Sequence, residues 1–453
     1  MRAPRWAANA IGPAGALIRR RRGLAGLVAG TALGVVLTLL AGTLLPRPAP
    51  DGVEPGKIHL VISSGVDDGF GGQRDELIRQ WNALYGDRMS AEIQPIRGGA
   101  DQIRAGMLGR AQAGGAGVDI YNLDVTWMAE FAESGYLRPL TRDGLDLDGF
   151  LRQPLATCER DGKLWGLPFN TDAGLLYYRR DLLGDKPDVP DDDPDLSSWQ
   201  AVDDAARGVL GDPARRGTLE AGYTGQLGDY EGESVNVFEA VWAAGGEVVR
   251  DGRVVIDEPQ GRAALKRLAT GLRQRPYPLV LPASRGFMET EATQAFRDGK
   301  VIFMRNWPVA YLNLVRGDSP KPLDFGIAPL PGGSVLGGQN LAIAAGSKHP
   351  RAAQKLIEFL TSPRSQQILF ERGGFAATRE IVYRDREVIK NYQYAEILLE
   401  AIEQARLRPD TRHYSLFSEV LRREVNRALD DNGELPEGAA DRLTEALHGV
   451  QAD

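Results

Sequence analysis

Acidic side chains are the residues of this sequence best placed to contact a ligand. Asp124 directly follows residues 119–123, whose pattern favours a strand. In sheets built from alternating strands and helices, ligands bind beyond the carboxyl ends of the strands, and a carboxylate there can accept hydrogen bonds from two adjacent hydroxyls. Asp124 is therefore predicted to contact a ligand, and capping of the helix that follows is the alternative.

Composition and motifs argue against several other kinds of site. The chain has one cysteine, Cys158, and four histidines without the spacing of metal ligands, so we expect an inert thiol, no metal and no cofactor. A net charge of −7, with basic residues interspersed among acids, argues against binding to nucleic acid. No HExxH, phosphate-binding loop or GxSxG motif occurs. We expect no catalytic activity. A glycoside hydrolase, which needs only two carboxylates, is the less favoured alternative, since among 61 acidic residues the presence of candidate pairs is no evidence by itself.

The elements that would position these residues alternate between strands and helices. In the first part, strands and helices are predicted at 57–63, 73–85, 91–96 and 119–123, followed by a helix from Trp127 that ends before Gly135. The second half continues in this style, with elements at 175–178, 235–244, 301–304 and 353–360. This alternation is typical of α/β proteins with a mostly parallel sheet. A chain of 453 residues exceeds what one core usually supports, so two domains are expected.

The amino terminus predicts export from the cytoplasm. Four arginines at 19–22 precede an uncharged stretch at 23–45, which as a helix would reach about 35 Å, enough to cross a bilayer core of about 30 Å. This stretch is predicted to be a transmembrane anchor or a signal, and its length favours an uncleaved anchor. Residues 1–22 would be cytoplasmic, 46–56 a proline-rich linker, and the bulk of the chain would lie on the extracellular face of the cell membrane.

Six short motifs are spread along the chain from about residue 57 to its end. They lie at 124–127 with 135–137, 162–183, 222–242, 303–308, 326–333 with 336–343, and 408–409 with 414–421. In this order they resemble the sugar-binding family 1 of ABC-transporter extracellular solute-binding proteins, and within it the maltose, maltodextrin and trehalose binders. Each motif alone is a weak signal, but six in one order are specific.

The resemblance implies a two-lobed, periplasmic-binding-protein-like α/β fold of type II, with three chain crossings between the lobes. The crossings are expected near 168–172, 300–301 and 337–340. Lobe one would comprise 57–168 and 301–337, and lobe two 169–300 and 340–453. Gly337 and Gly338 suit a hinge, because glycine absorbs changes of φ and ψ easily.

The resemblance also implies a set of residues that contact the ligand. A sugar presents hydroxyls to polar groups and C–H patches to flat aromatic faces, and Trp307 is the aromatic residue expected to supply such a face; a core role is its alternative. For the aspartates at 67 and 68, a role in the turn is the alternative. The expected set is Asp67, Asp68, Asp124, Asn170, Asp172, Tyr230, Glu231, Trp307, Gly337, Gly338, Arg408 and Tyr414.

The implied function is that of the extracytoplasmic substrate-binding subunit of an ABC importer. Such a protein captures a carbohydrate, here expected to be a di- or oligosaccharide, by hinge closure and delivers it to the permease subunits. The expected partners are the sugar, the permease and the membrane that holds the amino-terminal segment, and the protein is expected to be a monomer. The alternative from another class is a membrane-tethered sugar sensor or interaction domain without transport.

Overall fold

The computed structural model describes residues 57–451, apart from Asp68, Phe70, Ala116, 184–193 and 317–322. The predictions for 1–22, 23–45 and 46–56, and for Asp68 as a ligand contact, therefore lie outside the described residues. Within the described ranges, no helix is both long and apolar enough to span a bilayer.

Fourteen strands are present in the described residues. In chain order they are β1 Ile58–Gly65, β2 Met89–Ile96, β3 Ile120–Asp124, β4 Leu137–Arg138, β5 Glu159–Arg160, β6 Lys163–Leu164, β7 Gly166–Ala173, β8 Leu175–Arg179, β9 Ala221–Thr224, β10 Val249–Arg250, β11 Arg253–Val254, β12 Val301–Asn306, β13 Phe325–Pro329 and β14 Leu336–Ala344.

Helices connect most of these strands. They are α1 Gln73–Tyr85, α2 Ala100–Gln112, α3 Met128–Glu133, α4 Arg152–Ala156, α5 Arg180–Leu183, α6 Trp199–Gly211, α7 Pro213–Arg216, α8 Glu231–Ala243, α9 Pro259–Arg273, α10 Glu289–Arg297, α11 Val309–Arg316, α12 Pro350–Leu360, α13 Pro363–Ile368, α14 Glu380–Tyr383, α15 Arg386–Asn391, α16 Tyr394–Gln404, α17 Tyr414–Asp430 and α18 Ala439–Leu447. Short 3-10 turns lie at Val125–Trp127 and Pro282–Gly286, and a π-helical turn at Leu369–Gly373.

The first sheet has six strands and forms the centre of lobe one. Its order is β2-β1-β3-β14-β4, and β7 also pairs with β14. Strand β1 is parallel to β2 and β3, whereas β14 is antiparallel to its neighbours. The predicted α/β alternation is present here, because α1 follows β1 and packs Leu77 and Trp81 into the same core as Leu60 and Ile62.

The second sheet has four strands, in the order β13-β8-β12-β9, and forms the centre of lobe two. Strand β12 is parallel to β9 and antiparallel to β8. All six side chains of β12 are buried, which agrees with the apolar run predicted at 301–304. Two core clusters surround this sheet, and the larger one includes residues of α8, α9, α17 and α18.

The strand pairing contradicts part of the expected lobe boundaries. Residues 301–306 and 325–329 pair in the sheet of lobe two, although 301–337 was expected in lobe one. Helix Pro350–Leu360 packs Leu356 and Ile357 into the core of lobe one, although 340–453 was expected in lobe two. No crossing occurs at 300–301, because the strands on both sides of it belong to the same sheet.

Three chain segments instead lie side by side where the two lobes join. Strands β7 and β14 pair from Leu336 opposite Ala173 to Ala342 opposite Gly166, and Ala376 forms a bridge with Thr171. Gly338 in β14 has φ +121°, and a methyl group there would lie 2.4 Å from the carbonyl oxygen of Asn170. This position therefore requires glycine both for its backbone conformation and for the close approach of β7.

Candidate functional site

The base of the candidate site is a buried polar cluster at this junction. Arg74 of α1 is buried, and its Nη2 donates to Oε1 of Gln339 at 2.8 Å and to Oδ1 of Asn170 at 3.4 Å. Its guanidinium also lies 4.5 Å from the ring centroid of Phe375. Asn122 donates to the same Gln339 oxygen at 3.1 Å. The Asn170 side chain is thus held by Arg74, which Gln339 fixes in turn.

Asp172 lies on β7 close to this cluster. Its Oδ2 accepts a hydrogen bond from Nδ2 of Asn170 at 3.2 Å. Burial raises the pKa of Asp172 to about 7, while the charge of Arg74 acts to lower that pKa and the charge of Asp124 acts to raise it. The Asp172 carboxyl group can therefore either donate or accept a hydrogen bond near neutral pH.

Trp307 follows β12 and is held by contacts on its face and edge. The guanidinium carbon of Arg305 lies 3.8 Å from the ring centroid, and the indole Nε1 donates to Oε1 of Glu289 at 3.2 Å. The hydroxyl of Tyr177 donates to the backbone carbonyl of Trp307 at 2.9 Å. A methyl group at Gly337 would lie 3.2 Å from Cη2 of Trp307. The indole is therefore fixed at the junction and is only partly buried in the core of lobe two.

The buried Arg305–Glu239 ion pair packs against the Trp307 ring. Arg305 has a side-chain exposure of 1% and makes two hydrogen bonds with Glu239, at 2.9 and 2.7 Å. Its Nη1 donates to Gln226 at 3.3 Å. Neither Arg305 nor Glu239 was among the site residues predicted from the sequence, although Arg305 lies within the motif at 303–308. No local pattern links it to Glu239, because the two residues meet only through the fold.

A second network joins four of the predicted site residues. Arg408 is buried, and its Nη1 donates to Oε1 of Glu231 at 2.6 Å, while its Nη2 lies 3.5 Å from Oδ1 of Asp124. The hydroxyl of Tyr414 donates to the same Glu231 oxygen at 2.6 Å, and Ser418 donates to the other oxygen at 2.6 Å. Both carboxylate oxygens of Glu231 thus already accept protein hydrogen bonds.

Asp67 and Asp124 make the contacts expected for their alternative roles in a turn and a helix cap. Asp67 accepts from the backbone N–H groups of Gly69 at 3.0 Å and Arg74 at 2.9 Å, which is the turn role. Asp124 accepts from the N–H group of Thr126 at 2.9 Å and from its hydroxyl at 2.7 Å, so the capping role is present beside the contact with Arg408. Burial raises the pKa of Tyr230 well above its usual value.

A cavity of about 80 Å³ lies next to Arg408. Its walls come from the turn at 125–129, from 156–160 with Trp165, and from 407–410. The thiol of Cys158 borders it, and burial raises the pKa of this thiol well above its usual value. Within the described ranges, no group of three or more His, Cys, Asp and Glu side chains is arranged to hold a metal ion.

Comparison with known proteins identifies the family. A profile of bacterial extracellular solute-binding proteins matches residues 76–396. A probable ABC transporter-binding protein of Deinococcus radiodurans is 28% identical over 67% of this chain and 72% of its own length. The arabinooligosaccharide-binding protein of Bacillus subtilis is 21% identical over 71% of this chain and 73% of its own length.

Solved structures share the two-lobed fold. Maltose-bound MalE3 of T. maritima has a TM-score of 0.77 and 29% identity, and the match covers 86% of this chain and 99% of that one. A solute-binding protein of Thermotoga lettingae with bound α-D-tagatose has a TM-score of 0.73 and 25% identity, over 86% of this chain and all of that one. These matches confirm the resemblance predicted from the six motifs. The chain belongs to the bacterial extracellular solute-binding proteins, a family that acts outside the cytoplasm and binds solutes rather than transforming them.

Proposed function

We propose that this protein is the substrate-binding subunit of an ABC importer and captures a carbohydrate between its two lobes. The observation that carries the proposal is the arrangement around Gly337, where a methyl group would lie 3.2 Å both from the Trp307 ring and from Cβ of Asp172. The Trp307 ring and the Asp172 side chain thus flank one glycine. This pair supplies the flat apolar surface and the hydrogen-bonding group that a sugar ring needs.

The relatives support this ligand class. Proteins similar to this chain are described as binding arabinooligosaccharide and maltose. By analogy we propose a di- or oligosaccharide as the ligand, with delivery to the permease subunits of an importer. Asn170, Asp172 and Asp124 would engage hydroxyl groups, Trp307 would stack on C–H groups, and the backbone at Gly337 would approach the sugar closely.

Hinge closure is the proposed capture mechanism. The three segments around Thr171, Gly338 and Ala376 are the proposed hinge of a type II arrangement, since they lie side by side at the junction of the two sheets. A sugar would enter a more open arrangement and favour closure through its greater affinity for the closed one.

The network around Glu231 suggests a supporting role for part of the predicted site. Arg408 joins Glu231 of lobe two to Asp124 of lobe one, and Tyr414 donates to Glu231. We propose that Glu231, Tyr230, Arg408 and Tyr414 position the closed lobes and Asp124, and that Asp124 makes the direct hydroxyl contact. The turn contacts of Asp67 favour a role in shaping the loop after β1.

For the amino-terminal part, we propose the roles that its sequence predicts. Residues 23–45 would act as a membrane anchor or an export signal, residues 46–56 as a linker, and the protein would work as a monomer at the outer face of the membrane. A tethered sugar sensor without transport is the second candidate, because an uncleaved anchor would keep one copy of the binding domain beside a membrane partner.

A thermal-shift screen of residues 57–453 tests the proposal. The panel would contain maltose, trehalose, an arabino-oligosaccharide and tagatose, with amino acids as controls. A ligand at about 1,000 times its Kd stabilises the folded state by about 4 kcal/mol, so the melting temperature should rise by several degrees with at least one sugar. No shift with any sugar at 10 mM would contradict the proposal. Release of shorter sugars during incubation with an oligosaccharide would instead indicate a hydrolase.

A further inference from the structure

One arginine outside the candidate site connects the two lobes. Arg422 of α17 has a side-chain exposure of 8% and donates to three acceptors. Its Nε donates to Oδ1 of Asp229 at 3.0 Å, its Nη1 to Oγ of Ser418 at 2.9 Å, and its Nη2 to Oδ2 of Asp101 at 3.2 Å. Asp229 and Ser418 belong to lobe two, whereas Asp101 lies in the first turn of α2 in lobe one.

The same arginine is linked to the candidate site through hydrogen bonds. Ser418 donates to Oε2 of Glu231, and Oε1 of Glu231 accepts from Arg408, which reaches Asp124. The chain of contacts therefore begins at Asp101 in lobe one, runs through lobe two and returns to lobe one at Asp124. Two separate contacts with lobe one are made from one buried polar network.

We propose that the Asp101–Arg422 ion pair sets ligand affinity from outside the ligand-contacting surface, by stabilising the closed arrangement of the lobes. When the lobes separate, Asp101 loses its contact with Arg422, while Arg422 keeps Asp229 and Ser418. The observed affinity includes the free energy of closure. A substitution that destabilises only the closed arrangement therefore raises the Kd by the factor by which it lowers the equilibrium constant for closure. The inference rests on the proposed function as a sugar-binding protein.

The two aspartates that contact Arg422 allow a matched pair of variants. Asp101 and Asp229 bind the same guanidinium, and their side chains are 44% and 79% exposed, but only the Asp101 contact crosses between lobes. We expect D101N to raise the Kd for maltose roughly two- to fivefold at low salt, because the Asp101 carboxylate is exposed to solvent and such ion pairs contribute modestly. D229N should leave the Kd within about 1.5-fold of the wild-type value.

Salt provides a second readout of the same pair. In 0.5 M NaCl, where charges at the surface are screened, the difference in Kd between the wild type and D101N should shrink. Equal weakening by D101N and D229N, or an unchanged Kd for D101N at low salt, would overturn the inference. Melting temperatures of both variants without sugar control for a general loss of stability.

The ion pair can also be tested if the proposed function is wrong. If the wild type binds neither maltose nor any other sugar of the panel, the proposed function is wrong, and the ion pair is then tested by small-angle X-ray scattering of the sugar-free proteins at low salt. In that case D101N should have a larger radius of gyration than D229N, because its lobes separate more often. Equal radii for the two variants would overturn the inference.

Discussion

Replacement of Trp307 by alanine is the perturbation that should affect sugar binding most. The substitution removes an indole that rests on Arg305 at 3.8 Å and donates to Glu289 at 3.2 Å. Tryptophan anchors at binding sites commonly contribute about 2 kcal/mol or more, and a loss of 2–3 kcal/mol raises the Kd by roughly 30- to 150-fold. We therefore expect W307A to bind the best sugar of the panel at least about 30-fold more weakly.

Two further variants separate the aromatic face from the other properties of the side chain. W307F keeps a flat ring but lacks the N–H group that donates to Glu289, so its affinity should lie between those of the wild type and W307A. W307L keeps apolar volume without an aromatic face and should bind nearly as weakly as W307A. If the affinities follow this order, the loss of sugar affinity in W307A comes from lost stacking rather than from the lost hydrogen bond with Glu289.

Isothermal titration calorimetry measures these affinities, and urea unfolding provides the control for folding. The Trp307 ring is partly buried in the core of lobe two, so W307A should lose about 2–4 kcal/mol of unfolding free energy and remain cooperatively folded. An unchanged Kd in a folded W307A protein would refute the role of Trp307 as the aromatic surface for the ligand.

Other predictions concern buried groups. Burial raises the pKa of Glu233 from 4.5 to about 8, so the folded protein holds this proton more tightly than the unfolded chain and loses stability as pH rises between these values. In urea unfolding, the stability of E233Q relative to the wild type should therefore rise by about 4–5 kcal/mol between pH 4 and pH 9. A difference that stays constant with pH would contradict this. E239Q should cost about 3–5 kcal/mol, because it leaves the buried Arg305 charge without its partner; a loss below about 1 kcal/mol would contradict this. Cys158 should react with a thiol reagent only in denaturant, since it is buried; rapid reaction of the native protein would contradict its burial.

The alternation of strands and helices was predictable because it depends on local apolar patterns. The predicted strand at 57–63 corresponds to β1 at Ile58–Gly65, and the predicted helix at 73–85 to α1 at Gln73–Tyr85. The helix predicted at 235–244 begins earlier, at Glu231. Its first turn is polar yet buried, because Glu233 and Ser234 find partners on α17, and no local pattern reveals such partners.

The lobe boundaries were less predictable because they depend on pairing between distant segments. Lys300 and Val301 mark the start of a buried strand, and only its pairing with β8 and β9 shows that the chain stays in lobe two. The third junction segment, around Ala376, follows a second glycine pair, Gly373 and Gly374, which we did not identify as a hinge signal. Its place at the junction is seen only from the bridge between Ala376 and Thr171.

The candidate site was predicted in part, since the motifs supply residue types but not their contacts. The structure brings Asp124, Glu231, Arg408 and Tyr414 into one network. Glu231 already accepts two hydrogen bonds at Oε1 and one at Oε2, so about one acceptor site is left for a ligand. The supporting residues Arg74, Arg305 and Arg422 were missed, since an arginine in sequence looks the same whether it is solvated or buried with a carboxylate.

The central claim is that a sugar binds at the junction of the lobes, and a crystal structure of the sugar complex tests it most directly. We expect density for a sugar ring against the face of Trp307, with a hydroxyl within hydrogen-bonding distance of the Asp172 or Asp124 carboxyl group. A sugar bound elsewhere on the protein, with the Trp307 indole uncovered, would contradict this claim.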